Sequence, residues 1–373
     1  FFMQDVDDLY VREKRFCCTR AEIQTLNPNT CTITAFRSKK DKQLALSVYS
    51  KMPVLSVEDE KSESAKSLWQ VMLRQGLFNK TSDSSLFINC NELLDSGAEE
   101  RAGNLLLGNK QYLRLYEGKM IHQYTHRWST YDRGERAYIK PRKESSLRHE
   151  WEPLSEFYVS EDIVQERLDR IGWKHKWLLG YRFSTAPTNE RTVIASFFPL
   201  SAVSNMLPVV FPPEEQAITL LAFLNSLCFD YFARQKMSRQ GLDLYKIKQI
   251  PAPHPGRNLS SEVQHEIETR VARLIGWQSF AATIISGKLA SDTEIPILEE
   301  PSRSILRAEI DALCAHAYGL DRKDLCFILD PSSLFTDYPS ETFKLLKEGE
   351  INEHGEYRTQ RLVLEAWDRL FGR

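Results

Sequence analysis

Apolar residues recur at helical spacing through the last third of the chain. Segments 261–285, 302–318, 339–353 and 357–371 each carry such a stripe, as in Ile305, Ile310, Leu313 and Ala317, and each predicts a helix. Upstream, Pro212-Pro213-Glu214-Glu215 opens a run that is apolar on nearly every side to about Lys236. Proline and two carboxylates suit a helix start, and Arg234 and Lys236 suit its negative end, so one long core helix is expected. Between 68 and 213 the pattern shortens. Apolar runs at 112–116, 119–124, 177–183, 192–198 and 206–211 predict strands, with a helix over Glu161–Ile171 and loops at Pro141, Pro153 and Pro187. Near the start, Thr19 with Glu22 three residues on reads as a capping box, and Asn27-Pro28-Asn29 as a turn. Ser38 precedes a lysine-rich amphipathic helix to about Lys51, stopped by Pro53. The acidic, serine-rich stretch 56–67 predicts a mobile connection. The expected class is α+β, a mixed β-sheet domain followed by a helical region. The segments are 1–60, 61–257 and 258–373.

Charge changes this picture. The 373 residues sum to −2, yet residues 110–148, 167–191 and 234–257 carry net +6, +4 and +5, which leaves −17 for the rest. Three basic windows in a near-neutral chain point to an anionic partner if the fold puts them on one face. The first window also interleaves Tyr112, Tyr116, Tyr124, Trp128 and Tyr131 with its cations. Cations attract phosphate, while rings and forked donors suit bases. The expected nucleic-acid contacts are Lys119, His122, Gln123, His126, Arg127 and Arg133 in the first window, and Arg182 and Arg191 in the second. In the third they are Arg234, Lys236, Arg239, Gln240, Lys246 and Lys248. The plain alternatives are a half-buried strand pair with a solvated outer face, and helix-end cations favoured by the dipole. The acidic excess collects after residue 258, where no phosphate is expected.

Other chemistry is sparse. His122 and His126 form HxxxH, but Gln123 follows the first histidine and the flanks read as strand, so no metal is expected there. Glu117 and Lys119 match half of a Mg²⁺-dependent nuclease site, for which Asp95 could supply a second carboxylate. Glycine-rich phosphate loops and a serine nucleophile elbow are absent from the sequence. The seven cysteines form no CxxC pair, which fits reduced thiols and a cytoplasmic protein. No run of 18 apolar residues predicts a membrane span. The chain opens on Phe1-Phe2, which reads as a piece of something longer.

Several long strings together resemble the C-terminal half of large adenine-specific DNA methyltransferases of the Eco57I-like and type IIG restriction-modification group, and related phage-defence modules. The strings are LNPNTCTITAFRSKKD at 26–41, NKTSDSSLF at 79–87, LRLYEGKMIHQYTHRWSTYD at 113–132, WLLGYRF at 177–183 and TNERTVIAS at 188–196. LLAFLNSLCFDYFARQK at 220–236, IKQIPAPHP at 247–255, RAEIDALCAHAYGL at 307–320 and EYRTQRLVLEAWDRL at 356–370 follow in the family's order. The resemblance implies that residues 1–60 end a methyltransferase domain, that 61–257 form a DNA target-recognition domain, and that 258–373 are its helical extension. It implies double-stranded DNA as partner, with an upstream methyltransferase domain and in some members a nuclease. S-adenosylmethionine and the catalytic Asn-Pro-Pro-Tyr loop then belong to the parent enzyme, and no cofactor to this chain. The turn at Asn27-Pro28 lacks the second proline and the aromatic that grip a flipped base. The family's Gly-Gly-x-His-Leu after Arg-Gln-Lys is replaced here by Ser238, Arg239, Gln240, Gly241 and Leu242. Two other classes stay open: a Mg²⁺-dependent nuclease on Glu117 and Lys119, and a protein-interaction module in the acidic helical end.

Overall fold

A computed structural model describes residues 6–10, 12, 15–34, 36–58, 68–142, 148, 150–237, 239–285, 299–335 and 341–372. The fold is mixed α+β, with antiparallel sheets in the N-terminal half and mostly helices in the C-terminal half, at 43% helix and 16% strand. In chain order the strands among the described residues are β1 (Met72–Arg74), β2 (Ile88–Asn89), β3 (Glu99–Arg101), β4 (Asn104–Leu107), β5 (Lys110–Tyr116) and β6 (Thr130–Asp132). They continue with β7 (Ala137–Ile139), β8 (Phe157–Ser160), β9 (Trp177–Tyr181), β10 (Ala195–Pro199), β11 (Ala202–Val203) and β12 (Val209–Phe211).

One sheet runs β1-β12-β9-β10, and a larger one runs β2-β8-β5-β4-β3. The last residues of β5, Leu115 and Tyr116, pair in parallel with Ala202 and Val203 of β11. Every residue of β9 is buried, as expected of a strand covered on both faces. Gly180 is needed there, because a Cβ would stand 3.0 Å from the Phe198 ring and 3.1 Å from the Pro208 carbonyl. β6 and β7 form a separate ribbon.

Several local predictions hold. Thr19 and Glu22 make both bonds of the capping box at the head of the Arg20–Leu26 helix. Ser38 accepts from the Asp41 N–H to cap the Lys39–Tyr49 helix. Helices at Glu161–Asp169, Ser261–Ile275, Ser302–Ala317, Lys344–His354 and Arg358–Phe371 fall where periodicity put them. The Arg322–Leu329 helix was not anticipated, although Asp321, which accepts from the Asp324 N–H, is a readable cap.

Two elements differ. Residues 119–124 are not a strand. Gly118–Met120 is a single 3-10 turn, and the chain then doubles back at Gln123-Tyr124, with His122 and Thr125 exchanging backbone hydrogen bonds of 2.8 and 3.1 Å. Tyr124 takes φ +61°, held by its buried ring and by a bond from its N–H to the Ala195 carbonyl. The expected core helix is two helices, Glu214–Asn225 and Leu227–Gln235, bent by 66°. Ser226 breaks it. Its backbone is extended, its hydroxyl donates back to the Phe223 carbonyl, and its oxygen accepts from the Phe229 N–H. Asn225 meanwhile bonds both the N–H and the carbonyl of Ala195. No single helix among the described residues is long and apolar enough to cross a membrane.

One hydrophobic core draws residues from all three expected segments, from Leu26 to Trp367. The N-terminal segment is sewn to the later chain by the Tyr231 hydroxyl on Asp41 (2.6 Å) and by backbone bonds from Leu55 to Ile250 and from Ala252 to Pro53. A small second core of Cys90, Leu93, Ala98, Leu105, Tyr131 and Tyr158 lies apart from it. The connection expected over 56–67 lies outside the described residues from 59 onward, as does Ser238.

Candidate nucleic-acid interface

β5 delivers Glu117 to the edge of a cleft of about 340 Å³, lined also by Gly118, Lys119, Arg182, Ser184 and Met206. Lys80 sits 3.0 Å and Lys119 3.5 Å from the Glu117 carboxylate. Gly118 is required by the close approach, since a Cβ would lie 3.1 Å from the Met206 carbonyl. The Arg182 guanidinium donates to the Ile121 carbonyl at 2.9 Å and faces no carboxylate in an ion pair among the described residues. Burial pulls its pKa down to about 10, still well above neutrality. Lys80, Lys119 and Arg182 thus outnumber the one carboxylate, and the Lys119 side chain is 46% exposed.

Beside the cleft, His122 stacks on Trp128 at 4.0 Å, and Lys140 caps the other aromatic contact at 4.7 Å from the Trp128 ring. Burial, and then the charges of Arg182, Arg307, Arg191 and Lys140, pull the His122 pKa down to about 3. The imidazole is therefore neutral. The fold brings the first two basic windows together here, through Lys119 and Arg182 at one cleft.

Much of the expected interface points inward instead. His126 is fully buried, with Nδ1 2.7 Å from the Tyr116 hydroxyl and its ring edge-on to Phe280. Burial holds its pKa near 3 despite the neighbouring Glu152. Arg127 is buried on Glu152 at 2.9 Å and on the Arg148 carbonyl, and Arg114 takes the other Glu152 oxygen at 2.9 Å. Burial opposes ionisation of Glu152, yet the positive charges around it, from His126, Arg114 and Arg127, outweigh this and lower its pKa. Gln123 donates to the Asn225 carbonyl at 3.0 Å. Groups committed to interior acceptors offer nothing to a phosphate, so Gln123, His126 and Arg127 are structural here. Arg133 is exposed and bonds Asn91 and Asp95.

The third window is divided in the same way. Arg234 is buried, with Nε on Asp230 at 2.8 Å and its terminal nitrogens on the carbonyls of Pro187, Asn189, Glu190 and Thr342. Asp230 also accepts from the Thr192 N–H, so the turn over Thr188–Arg191 is wound around one buried ion pair. Lys236 donates to the Leu26 carbonyl and to Asn27 Oδ1 (2.7 Å), and burial drops its pKa to about 7. Lys246 is buried on Asp243 and the Gly241 carbonyl, and Lys248 meets Glu58. Arg239 and Gln240 remain exposed, with no side-chain hydrogen bond among the described residues. Gly241, at φ +96°, and Leu242 strap this loop along Thr185 and Phe183 through backbone bonds of 2.8 and 2.9 Å. The loop and the 188–191 turn are therefore neighbours.

The nuclease constellation is not assembled. Asp95 is 73% exposed on Arg133, Glu117 is neutralised by two lysines, and the described residues hold no group of three His, Cys, Asp or Glu placed for a metal. Lys80, Lys140 and Ser184 were missed from sequence. Lys140 lay inside a basic window and was discoverable, whereas Lys80 lies outside all three windows and reaches the cleft only through the fold. No protein-family model matches this chain, and no curated protein matches it.

Proposed function

We propose that this chain is the DNA-recognition part of an N6-adenine DNA methyltransferase from a restriction-modification or phage-defence system, whose catalytic domain lies outside these residues. The observation that carries the reading is one open cleft lined by the exposed Lys119 and by Arg182, with Lys80 on its Glu117 and with Lys140 over the neighbouring Trp128 ring. Such a surplus of positive charge beside aromatic rings suits the backbone of double-stranded DNA. The exposed Arg239-Gln240 pair, on a loop strapped to rigid structure, offers the forked donors that read purine edges. The resemblance of the long strings to adenine methyltransferases supplies the reaction. The upstream domain flips the target adenine and moves a methyl group from S-adenosylmethionine to N6.

The test is a salt series of duplex-DNA binding followed by fluorescence anisotropy, on wild type and Lys119→Ala. Loss of one phosphate contact lowers affinity for all sequences alike and reduces the slope of log K against log salt by about 0.9. Salt-independent binding, or wild type with no duplex affinity at 50 mM salt, removes the reading. Mg²⁺-dependent cutting of plasmid that Lys119→Ala abolishes would replace it with the nuclease.

A further inference from the structure

We propose that the cavity between the starts of the Ser302–Ala317 and Arg358–Phe371 helices is a site for a single tetrahedral oxyanion of the phosphate class. The cavity holds about 60 Å³, and Arg191, Arg307 and Arg358 reach it from three separate segments. That volume suits one small anion and excludes a nucleoside.

The donors there are under-used. Arg191 Nη1 is buried without a hydrogen-bond acceptor, and its Nη2 has only a 3.4 Å contact to Asp311. The Arg358 side chain is half-buried and makes no hydrogen bond or ion pair among the described residues. Arg307 bonds Glu300 at 2.7 Å and the Ser304 hydroxyl at 3.1 Å. The two lining carboxylates are already engaged. Glu350 accepts from the N–H (2.7 Å) and the hydroxyl of Thr359, and Asp311 accepts from the Leu227 N–H at 2.7 Å. Asp311 also pairs with Arg191 Nη2, at 3.4 Å, which leaves Nη1 as the free donor. The 14-residue helix from Arg358 opens at the cavity wall, where Glu350 already takes the Thr359 N–H, so the guanidiniums are the donors left for an anion. A buried guanidinium nitrogen without an acceptor is costly to a fold, and an oxyanion supplies the missing acceptor.

The anion is either a DNA backbone phosphate, in which case this site deepens the reading above and rests on it, or a free phosphate group. The full chain is melted in sodium phosphate and in sodium chloride at matched ionic strength, as wild type, Arg358→Gln and Arg307→Gln. A saturable rise in Tm specific to phosphate, weakened tenfold or more in apparent affinity by either variant, supports the site. An equal melt of wild type in both salts overturns it. The same variants are then titrated with a 30-base-pair duplex. A weaker complex with a shallower salt slope assigns the anion to the DNA backbone, and unchanged duplex affinity alongside a lost phosphate shift assigns it to free phosphate. Absence of duplex binding by wild type defeats the DNA reading alone, because the phosphate melt still decides the cavity.

Discussion

Glu152→Gln tests whether Arg114 and Arg127 belong to the interior or to a DNA-binding face. The substitution keeps the shape and removes one charge from a site where two guanidiniums each lie 2.9 Å from a carboxylate oxygen. All three side chains are at most 3% exposed, so water cannot replace the lost partner. Arg114 keeps the carbonyls of Pro153 and Ala102, and Arg127 keeps that of Arg148, so the guanidiniums stay bonded but uncompensated in charge. Removing one partner of a buried ion pair costs about 3–5 kcal/mol. By contrast, the exposed Arg133–Asp95 pair is worth about 0–1 kcal/mol, which makes Asp95→Asn the internal control. Urea unfolding followed by circular dichroism reads both variants through the shift in midpoint. A double-mutant cycle with Arg127→Met should recover more than about 1 kcal/mol, because the second change removes one stranded charge. Destabilisation by Glu152→Gln below about 1 kcal/mol, with a loss of DNA affinity, would mean that Arg127 is accessible and that the burial argument is wrong.

Two further outcomes follow from the same structure. His122 and His126 have folded pKa values near 3 against about 6.5 unfolded, both depressed first by burial. The unfolded chain therefore takes up protons below pH 6.5 that the folded chain refuses, and stability falls as pH drops from 6.5 toward 3. Between pH 6.5 and 5 the two histidines together remove on the order of 2–4 kcal/mol, and urea midpoints that stay constant across that interval would contradict their burial as neutral rings. On the proposed DNA-recognition reading, Arg239→Ala in the full-length protein relaxes the methylated motif at one base position, worth about 1–3 kcal/mol of discrimination, while sparing nonspecific affinity. Sequencing of methylated sites checks this, and an unchanged motif at normal protein level means that the loop does not read bases.

What the sequence determined by itself is what a few neighbouring residues can encode. The Thr19–Glu22 capping box, the Ser38 cap and the helical stripes after residue 258 each depend on side chains three or four positions apart, within reach of the backbone groups they satisfy. The α+β class followed from those local periods. The break at Ser226 was local in part, but it took Asn225 bonding Ala195 on β10 to hold the bend. Residues 119–124 carried a strand-like pattern, and the turn at Gln123-Tyr124 prevailed because the Tyr124 ring is buried in the core and its N–H finds Ala195. The candidate site was legible only as a stock of cations. Lys119 and Arg127 lie eight positions apart in one basic window, yet one lines an open cleft and the other is locked on Glu152, 25 residues downstream. Arg191, Arg307 and Arg358 sit in different charge environments along the chain and meet at one cavity. A charge has no local signature of its fate: its pairing and its exposure depend on which distant carboxylate or carbonyl the fold brings to it, and only the tertiary structure decides that.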